Sequence, residues 1–267
     1  MTMSQTRSPE VLWTVLKREA RAAEGTSSAA RRLAQGVLAY ETFATALVER
    51  LAAPLADEYL DHAATRDCLK PTFSKVETIT TATNDLVAVK ARDPACSRYL
   101  DAFLFFKGFF ALAAHRAAHQ LWLAEDRLTA SWIQGRVASY CGIDLHPAAQ
   151  IGCGIVFDHG TGIVVGETAR IGDCTTLLHG VTLGGKAAGG DRHPKIGNRV
   201  LVGAGAVILG NIKVGDDARI GAGSIVLHDV APGATVVGKP AEELRSKQYG
   251  NGKPSHLSAD LDGQLTH

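Results

Sequence analysis

The second half of this chain repeats with a period of six. An aliphatic residue followed by glycine occurs at Ile151-Gly152, Val165-Gly166, Ile171-Gly172, Leu183-Gly184, Ile196-Gly197, Val202-Gly203, Val214-Gly215 and Ile220-Gly221. Leu145, Phe157, Leu177, Ile208 and Val226 fill most of the remaining slots. Six matches neither the 3.6-residue repeat of a helix nor the two-residue repeat of a strand. It fits a coil of three short flat faces, with the aliphatic residue pointing inward and glycine at the tight corner after it. The phase slips by two between Phe157 and Val165, and it breaks again between Leu183 and Ile196.

Glycine and aromatic residues divide the chain. Twenty of the 28 glycines, but only one aromatic (Phe157), lie within 151–240. Small side chains such as Ala204, Ala206, Ala222 and Ser224 suit thin stacked coils. The first half reads as helices. Ser8-Pro9-Glu10 supplies a capping residue, a first-turn proline and an acid, and Val11, Leu12, Val15 and Leu16 follow at helical spacing until Gly25. Further helical runs are predicted over about 28–52 (ending before Pro54), 56–69, 74–91, 96–124 and 127–140. Phe103, Phe106 and Phe110 fall on one helical face and read as packing. The expected fold class is α+β. A helical oligomerisation domain covers 1–140, a parallel β-helix covers 141–245 with a loop at 184–195, and a polar flexible tail covers 246–267. Coils of this kind stack, and their open ends need caps; the helical half can supply one and the segment after Pro232 the other.

Charge and cysteine usage exclude several classes. A formal net charge of +1 leaves no basic footprint for nucleic acid or an anionic membrane. No run reaches the ~18 apolar residues of a membrane span; the nearest, 100–123, is interrupted by Lys107, His115, Arg116 and His119. The N-terminus lacks the apolar core of a signal peptide. Cys68, Cys96, Cys141, Cys153 and Cys174 are odd in number and form no C-x-x-C. They predict neither a disulfide framework nor a zinc knuckle, and the chain is read as cytoplasmic with reduced thiols.

Two features carry chemistry. The break at 184–195 reads GGKAAGGDRHPK, flexible glycines followed by Asp191, Arg192 and His193; a surface insertion is the plain alternative. Asp144, His146, Asp158, His159 and His179 gather near the first coils. A coil holds about 18 residues, so His159 and His179 are expected on neighbouring rungs, and Asp144 near one turn before His159. An acid one rung from a histidine can fix its tautomer and stabilise the imidazolium. Any one of these histidines alone reads as a surface or satisfied polar residue; the set points to a base. A base of this kind suits attack of a hydroxyl on a thioester. The alcohol is a weak nucleophile near neutral pH, the intermediate needs donors that glycine-lined corners can supply, and the leaving thiolate takes the proton back.

IDLHPAAQIG, FDHGTGIVVGETARIG, VTLGG, GGDRHPKIG and VGAGAVILGNIKVG, with ARDPA at 91–95 and FLFFKGFFALAAHRAAH at 103–119, resemble the serine O-acetyltransferases of the hexapeptide-repeat acyltransferase superfamily. The resemblance spans about residues 8–241. It implies a left-handed parallel β-helix that transfers acetyl from acetyl-CoA, its co-substrate, to the hydroxyl of L-serine. The products are O-acetyl-L-serine and CoA, in the first step of cysteine biosynthesis, and no metal is implied. By the same resemblance His159 matches the general base and Asp144 its partner. Asp93 and Asp158 match carboxylates near the substrate amino group, and Arg192, with His193 beside it, the cation for its carboxylate. Anions at one end and a cation at the other suit a zwitterion. Gly184, Gly185, Ala204 and Ala222 match the narrow wall along which the pantetheine arm lies. The family implies a homo-oligomer, a trimer or a dimer of trimers (a hexamer), with the acyl-donor groove between neighbouring subunits. It also implies feedback inhibition by L-cysteine at the serine site. Family members that bind O-acetylserine sulfhydrylase do so through a C-terminal isoleucine. This sequence closes on Gln264-Leu265-Thr266-His267, so that complex is not expected.

Other readings stay open at the level of sequence. A hexapeptide-repeat acetyltransferase could act on a sugar or amine, which would need no zwitterion clamp. A metal-dependent hydratase could hold zinc through His159, His179 and His193, although Arg192 beside His193 opposes a cation. A non-catalytic scaffold leaves the DHGTG and DRHP clusters unexplained.

Overall fold

The computed structural model describes residues 8–186 and 189–238; the tail expected over 246–267 lies outside the described residues. The helical half holds α1 (Pro9–Ala23), α2 (Ser28–Leu38), α3 (Phe43–Leu55), α4 (His62–Phe73), α5 (Val76–Arg92), α6 (Tyr99–Phe105), α7 (Lys107–Leu123) and α8 (Arg127–Cys141). Capping chemistry decides two of the differences from the expected runs. The run 28–52 is two helices, because Thr42 and Thr45 form a reciprocal capping box that starts α3. Pro54 does not end α3; it sits within the last turn, where its fixed φ is helical. The run expected from 56 begins at His62. Before it, the Asp57 carboxylate accepts the Tyr59 and Leu60 N–H groups to make a turn, and Asp61 then caps α4. The run 96–124 breaks at Phe106, which is extended (φ −82°, ψ 109°) between α6 and α7. Phe43, Phe103 and Phe109 meet as tilted rings through the core at centroid spacings of 5.9 and 6.5 Å, all three buried.

The solenoid follows in five rungs. The first is β1 (Asp144–Leu145), β2 (Gln150–Ile151) and β3 (Val156–Asp158); the second is β4 (Val164–Val165), β5 (Arg170–Ile171) and β6 (Thr176–Leu178). The third is β7 (Thr182–Gly184), β8 (Lys195–Ile196) and β9 (Leu201–Val202); the fourth is β10 (Val207–Leu209), β11 (Lys213–Val214) and β12 (Arg219–Ile220). β13 (Ile225–Val226), a single bridge at Val230, and β14 (Thr235–Val236) make the fifth. Corresponding strands stack in parallel into three faces, which we number in chain order: β1-β4-β7-β10-β13, β2-β5-β8-β11 and β3-β6-β9-β12-β14. The six-residue period lands as expected. Leu145, Val165, Leu183, Ile208 and Val226 form one inward ladder, and Phe157, Leu177, Val202 and Ile220 form another. The corner glycines allow backbone contact between rungs; a Cβ on Gly203 would stand 2.5 Å from the Ala222 nitrogen.

Two irregularities matter for function. The register steps by 20 residues from Asp144 to Val164 but by 18 from Val164 to Thr182, so the corner after β3 carries two extra residues. From Thr182 to Val207 it steps by 25, which accommodates the loop after β7.

The first rung has no earlier rung to pair with, and the helices serve instead. Arg116 donates to the Ile151 and Gly152 carbonyls, and Arg92 to that of Gly154; the His119 and His115 rings meet the Pro147 and His146 carbonyls. Arg116 is itself paired with buried Asp85 at 3.0 Å, and Asp85 also accepts the Ile155 N–H. Burial pushes the Asp85 carboxyl above its ordinary range while Arg116 pulls it down.

Candidate active site

The extra residues after β3 build the first half of the site. His159 takes φ 56°, with Gly160 and Gly162 also at positive φ, and the bulge turns the imidazole outward, 78 % exposed. Its Nε2 lies 3.9 Å from Asp158 Oδ1. The His179 ring, one rung on, meets it edge-on at a centroid distance of 5.7 Å, as the 20-residue spacing predicts. Lys107 at the start of α7 donates to the Thr161 hydroxyl and anchors the bulge to the helical half. The corner N–H groups of Gly160, Gly162, Gly180 and Gly205 donate to the carbonyls of Asp158, Gly142, Thr161 and His179. These four corner donors are therefore not free for an oxyanion: the first closes the corner itself and the other three stack successive coils.

Asp144 lies one rung before the end of this corner, whereas Asp93 lies at the end of α5, over the start of the third face. Asp93 ends α5 and accepts the Ala95 N–H at 2.8 Å. Arg92 beside it bonds Cys174 O and Thr176 Oγ1 at 2.6 and 2.9 Å, pinning the helix end to the third face. Asp144 opens β1, and its Oδ1 accepts from Gln134 Nε2 at 2.6 Å. Among the described residues of one chain, no hydrogen bond or ion pair joins Asp144 to His159.

The second half of the site lies at the next corner, between the first and second faces. Arg192 Nη2 pairs with Glu167 Oε2 at 2.9 Å. Thr168 Oγ1 accepts the backbone N–H groups of both Arg192 and His193 at 3.1 Å, which seats the end of the loop on the second rung. Lys195 braces it from below through Thr168 O and Asp191. The His193 ring is buried over Gly166, and its Nδ1 accepts the Thr168 N–H at 3.2 Å, so the neutral ring carries its proton on Nε2. Burial, reinforced by Arg192, holds its pKa below the ordinary 6.5. Glu167 and Thr168 escaped the sequence reading. Their signal was a polar pair placed directly after Val165-Gly166, at a corner facing the glycine-rich loop.

The two halves stand on opposite edges of the first face. The five residues between them, 162–166, span roughly 16 Å at strand rise. Gly184 and Gly185 lie at the Arg192 edge, with Gly185 packed beside the Arg192 stem, whereas Ala204 and Ala222 lie on the His159 edge. Within one chain these four do not form one wall. His193 is likewise separated from His159 and His179, so the three do not assemble a metal set in one chain. Among the described residues no group of three His, Cys, Asp or Glu side chains is placed to hold an ion.

Comparison with known proteins places the chain. Residues 12–114 match the family described as serine acetyltransferase, N-terminal, and residues 193–228 match the six-repeat bacterial transferase hexapeptide family. A probable serine acetyltransferase 4 of Oryza sativa subsp. japonica is 58% identical over 165 residues, 61% of this chain and 52% of that protein. The chain thus spans about half the length of the first curated relatives. Serine acetyltransferase 5 of Arabidopsis thaliana is 44% identical over 256 residues, 95% of this chain and 81% of the relative. Soybean serine acetyltransferase, solved in complex with serine, superposes with a TM-score of 0.84 at 44% identity, covering 90% of this chain and 99% of that one. The enzyme of Brucella abortus, solved with coenzyme A, gives 0.83 at 40%, covering 86% and 94%. The helical half, the hexapeptide rungs and these near-complete superpositions make the chain a member of the serine acetyltransferase family.

Proposed function

We propose that the chain transfers the acetyl group of acetyl-CoA to the hydroxyl of L-serine, the committing step toward cysteine, with His159 as general base. The observation that carries this reading is the bulge after β3. It holds a non-glycine residue at positive φ and turns an exposed imidazole out beside the Asp158 carboxylate. Such strain persists where the surroundings over-determine it, commonly at functional sites. The soybean relative binds serine and the Brucella relative coenzyme A, which supports both substrates.

In the proposed step the serine oxygen attacks the thioester carbonyl as His159 takes its proton. The C–O bond forms and the C–S bond breaks. The imidazolium then protonates the CoA thiolate. No acyl-enzyme is required, and burial pushes the Cys153 thiol above its ordinary range, unsuited to a nucleophile. Asp144 steers the base, and Asp93 and Asp158 receive the ammonium group. Arg192, oriented by Glu167, receives the carboxylate with Nε2–H of His193 beside it. One edge of the first face carries the base and the other the cation, so two copies of the chain must join to complete a site. A trimer does this around one axis, with Ala204 and Ala222 of one copy facing Gly184 and Gly185 of the next across the pantetheine groove. L-Cysteine, which shares the zwitterion, is proposed to compete with serine there.

The test is thiol release from acetyl-CoA, with serine and with glucosamine as acceptors. Serine-dependent release is expected to fall by about 10²–10⁴ in His159→Ala, with the oligomer unchanged by light scattering. Full activity of that variant, or preference for the amino sugar, overturns the reading. Inhibition by cysteine that excess serine does not relieve overturns the shared site.

A further inference from the structure

We infer that Gln134, on α8, is a positioning residue that fixes the direction of the Asp144 carboxylate; the inference rests on the proposed role of Asp144 as partner of the base. The 2.6 Å bond from Gln134 Nε2 to Asp144 Oδ1 crosses from the helical half to the first strand of the solenoid. An ionised carboxylate only accepts hydrogen bonds, so the amide nitrogen must face it and the amide oxygen must face away. Turned over, the same side chain would set its oxygen against the carboxylate. The carboxylate thus selects the orientation and leaves the amide oxygen in need of a donor on its far side.

A small cavity between α7, α8 and β1 supplies the means. It measures about 10 Å³ and is lined by Gln134, His115 and apolar side chains including Ile133, Val137 and Leu145, room for about one water. His115 is buried, and burial drives its pKa well below 6.5, so the ring is neutral. Its Nε2 lies 3.3 Å from the His146 carbonyl, which can only accept, so Nε2 carries the proton and Nδ1 is a bare acceptor. That Nδ1 is buried and has no partner among the described residues. A water in the cavity that donates one O–H to His115 Nδ1 and the other to Gln134 Oε1 satisfies both acceptors. It matches the orientation that the carboxylate selects, with nitrogen toward Asp144. The resulting chain, His115 to water to Gln134 to Asp144, ties the acid to the buried face of α7.

The experiment measures kcat, serine KM and the pH profile of kcat/KM for the assembled full-length chain. The variants are Gln134→Leu, Gln134→Glu, Asp144→Asn and the double variant Gln134→Leu/Asp144→Asn. Gln134→Leu is expected to lower kcat about tenfold with serine KM within about twofold, and to add nothing in the Asp144→Asn background. Gln134→Glu sets a second carboxylate against the first, so one must take up a proton. The acid limb of the profile then moves up by about one pH unit, which a purely structural role would not cause. Wild-type kcat in Gln134→Leu and an unmoved limb in Gln134→Glu, while Asp144→Asn is slow, overturn the inference. If Asp144→Asn is itself as fast as wild type, the reading of Asp144 fails first and removes the role proposed for Gln134.

Discussion

In the proposed reading, a single backbone torsion at His159 serves the chemistry. At φ 56° an L side chain is held in a sparsely populated region, at a cost of order 1 kcal/mol or more. Asparagine tolerates that region better. His159→Asn is therefore expected to melt no lower than wild type while losing turnover, a separation that scanning calorimetry and the thiol assay can establish together. Gly166 makes the complementary case. A Cβ there would overlap the His193 ring, so Gly166→Ala should displace that ring and lower kcat/KM for serine by about tenfold or more, with the helical half untouched. The buried histidine at 115 sets a pH dependence. Its folded pKa lies well below 6.5, so below pH 6.5 the unfolded chain binds a proton that the folded chain refuses. Stability should fall as pH drops through 6.5, by up to ~1.4 kcal/mol per unit from this group. The decline in melting temperature should be shallower in His115→Leu. At this scale sequence singled out His159, Arg192 and the aspartates around them as candidates. It missed Glu167, Thr168 and Gln134, whose contributions come from contacts across rungs and between halves, which local spacing does not encode.

At the scale of elements, the solenoid was legible because one period governs every strand. Even its defects were visible, since the two-residue slip after Phe157 is the bulge and the break after Leu183 is the loop. The helices were legible in number of turns more than in boundaries. The split at Thr42 follows from side chains that close hydrogen bonds locally, the one at Phe106 from a single extended residue, and an apolar pattern runs straight through both sites. What sequence did not disclose is how the halves join. Arg116 and Asp85 are both buried, and removing one partner strands the other's charge. Asp85→Ala is expected to cost about 3–5 kcal/mol and to loosen the first rung. Hydrogen exchange at the Gly152 and Ile155 amides should rise well before that of the outer rungs.

For the whole molecule, the separation of His159, the proposed base, from Arg192, the proposed cation, across the first face gives a test that does not depend on an assembly image. His159→Ala and Arg192→Ala should each be poorly active alone at subsaturating serine. Co-expressed in equal amounts and mixed at random, they should recover about a quarter of wild-type activity, because one interface in four pairs an intact base with an intact cation. No recovery would place the site within one chain. The junction with the helices carries a further consequence. Arginine and histidine side chains close the front of the prism against specific carbonyls, whereas the coils behind the second rung pair with coils of the same kind. Coils inserted or deleted behind the fourth rung would keep every neighbour equivalent. One inserted ahead of Asp144 would have to displace five tailored contacts at once. Variation in the length of this prism should therefore accumulate at the rear, and the front should keep its count.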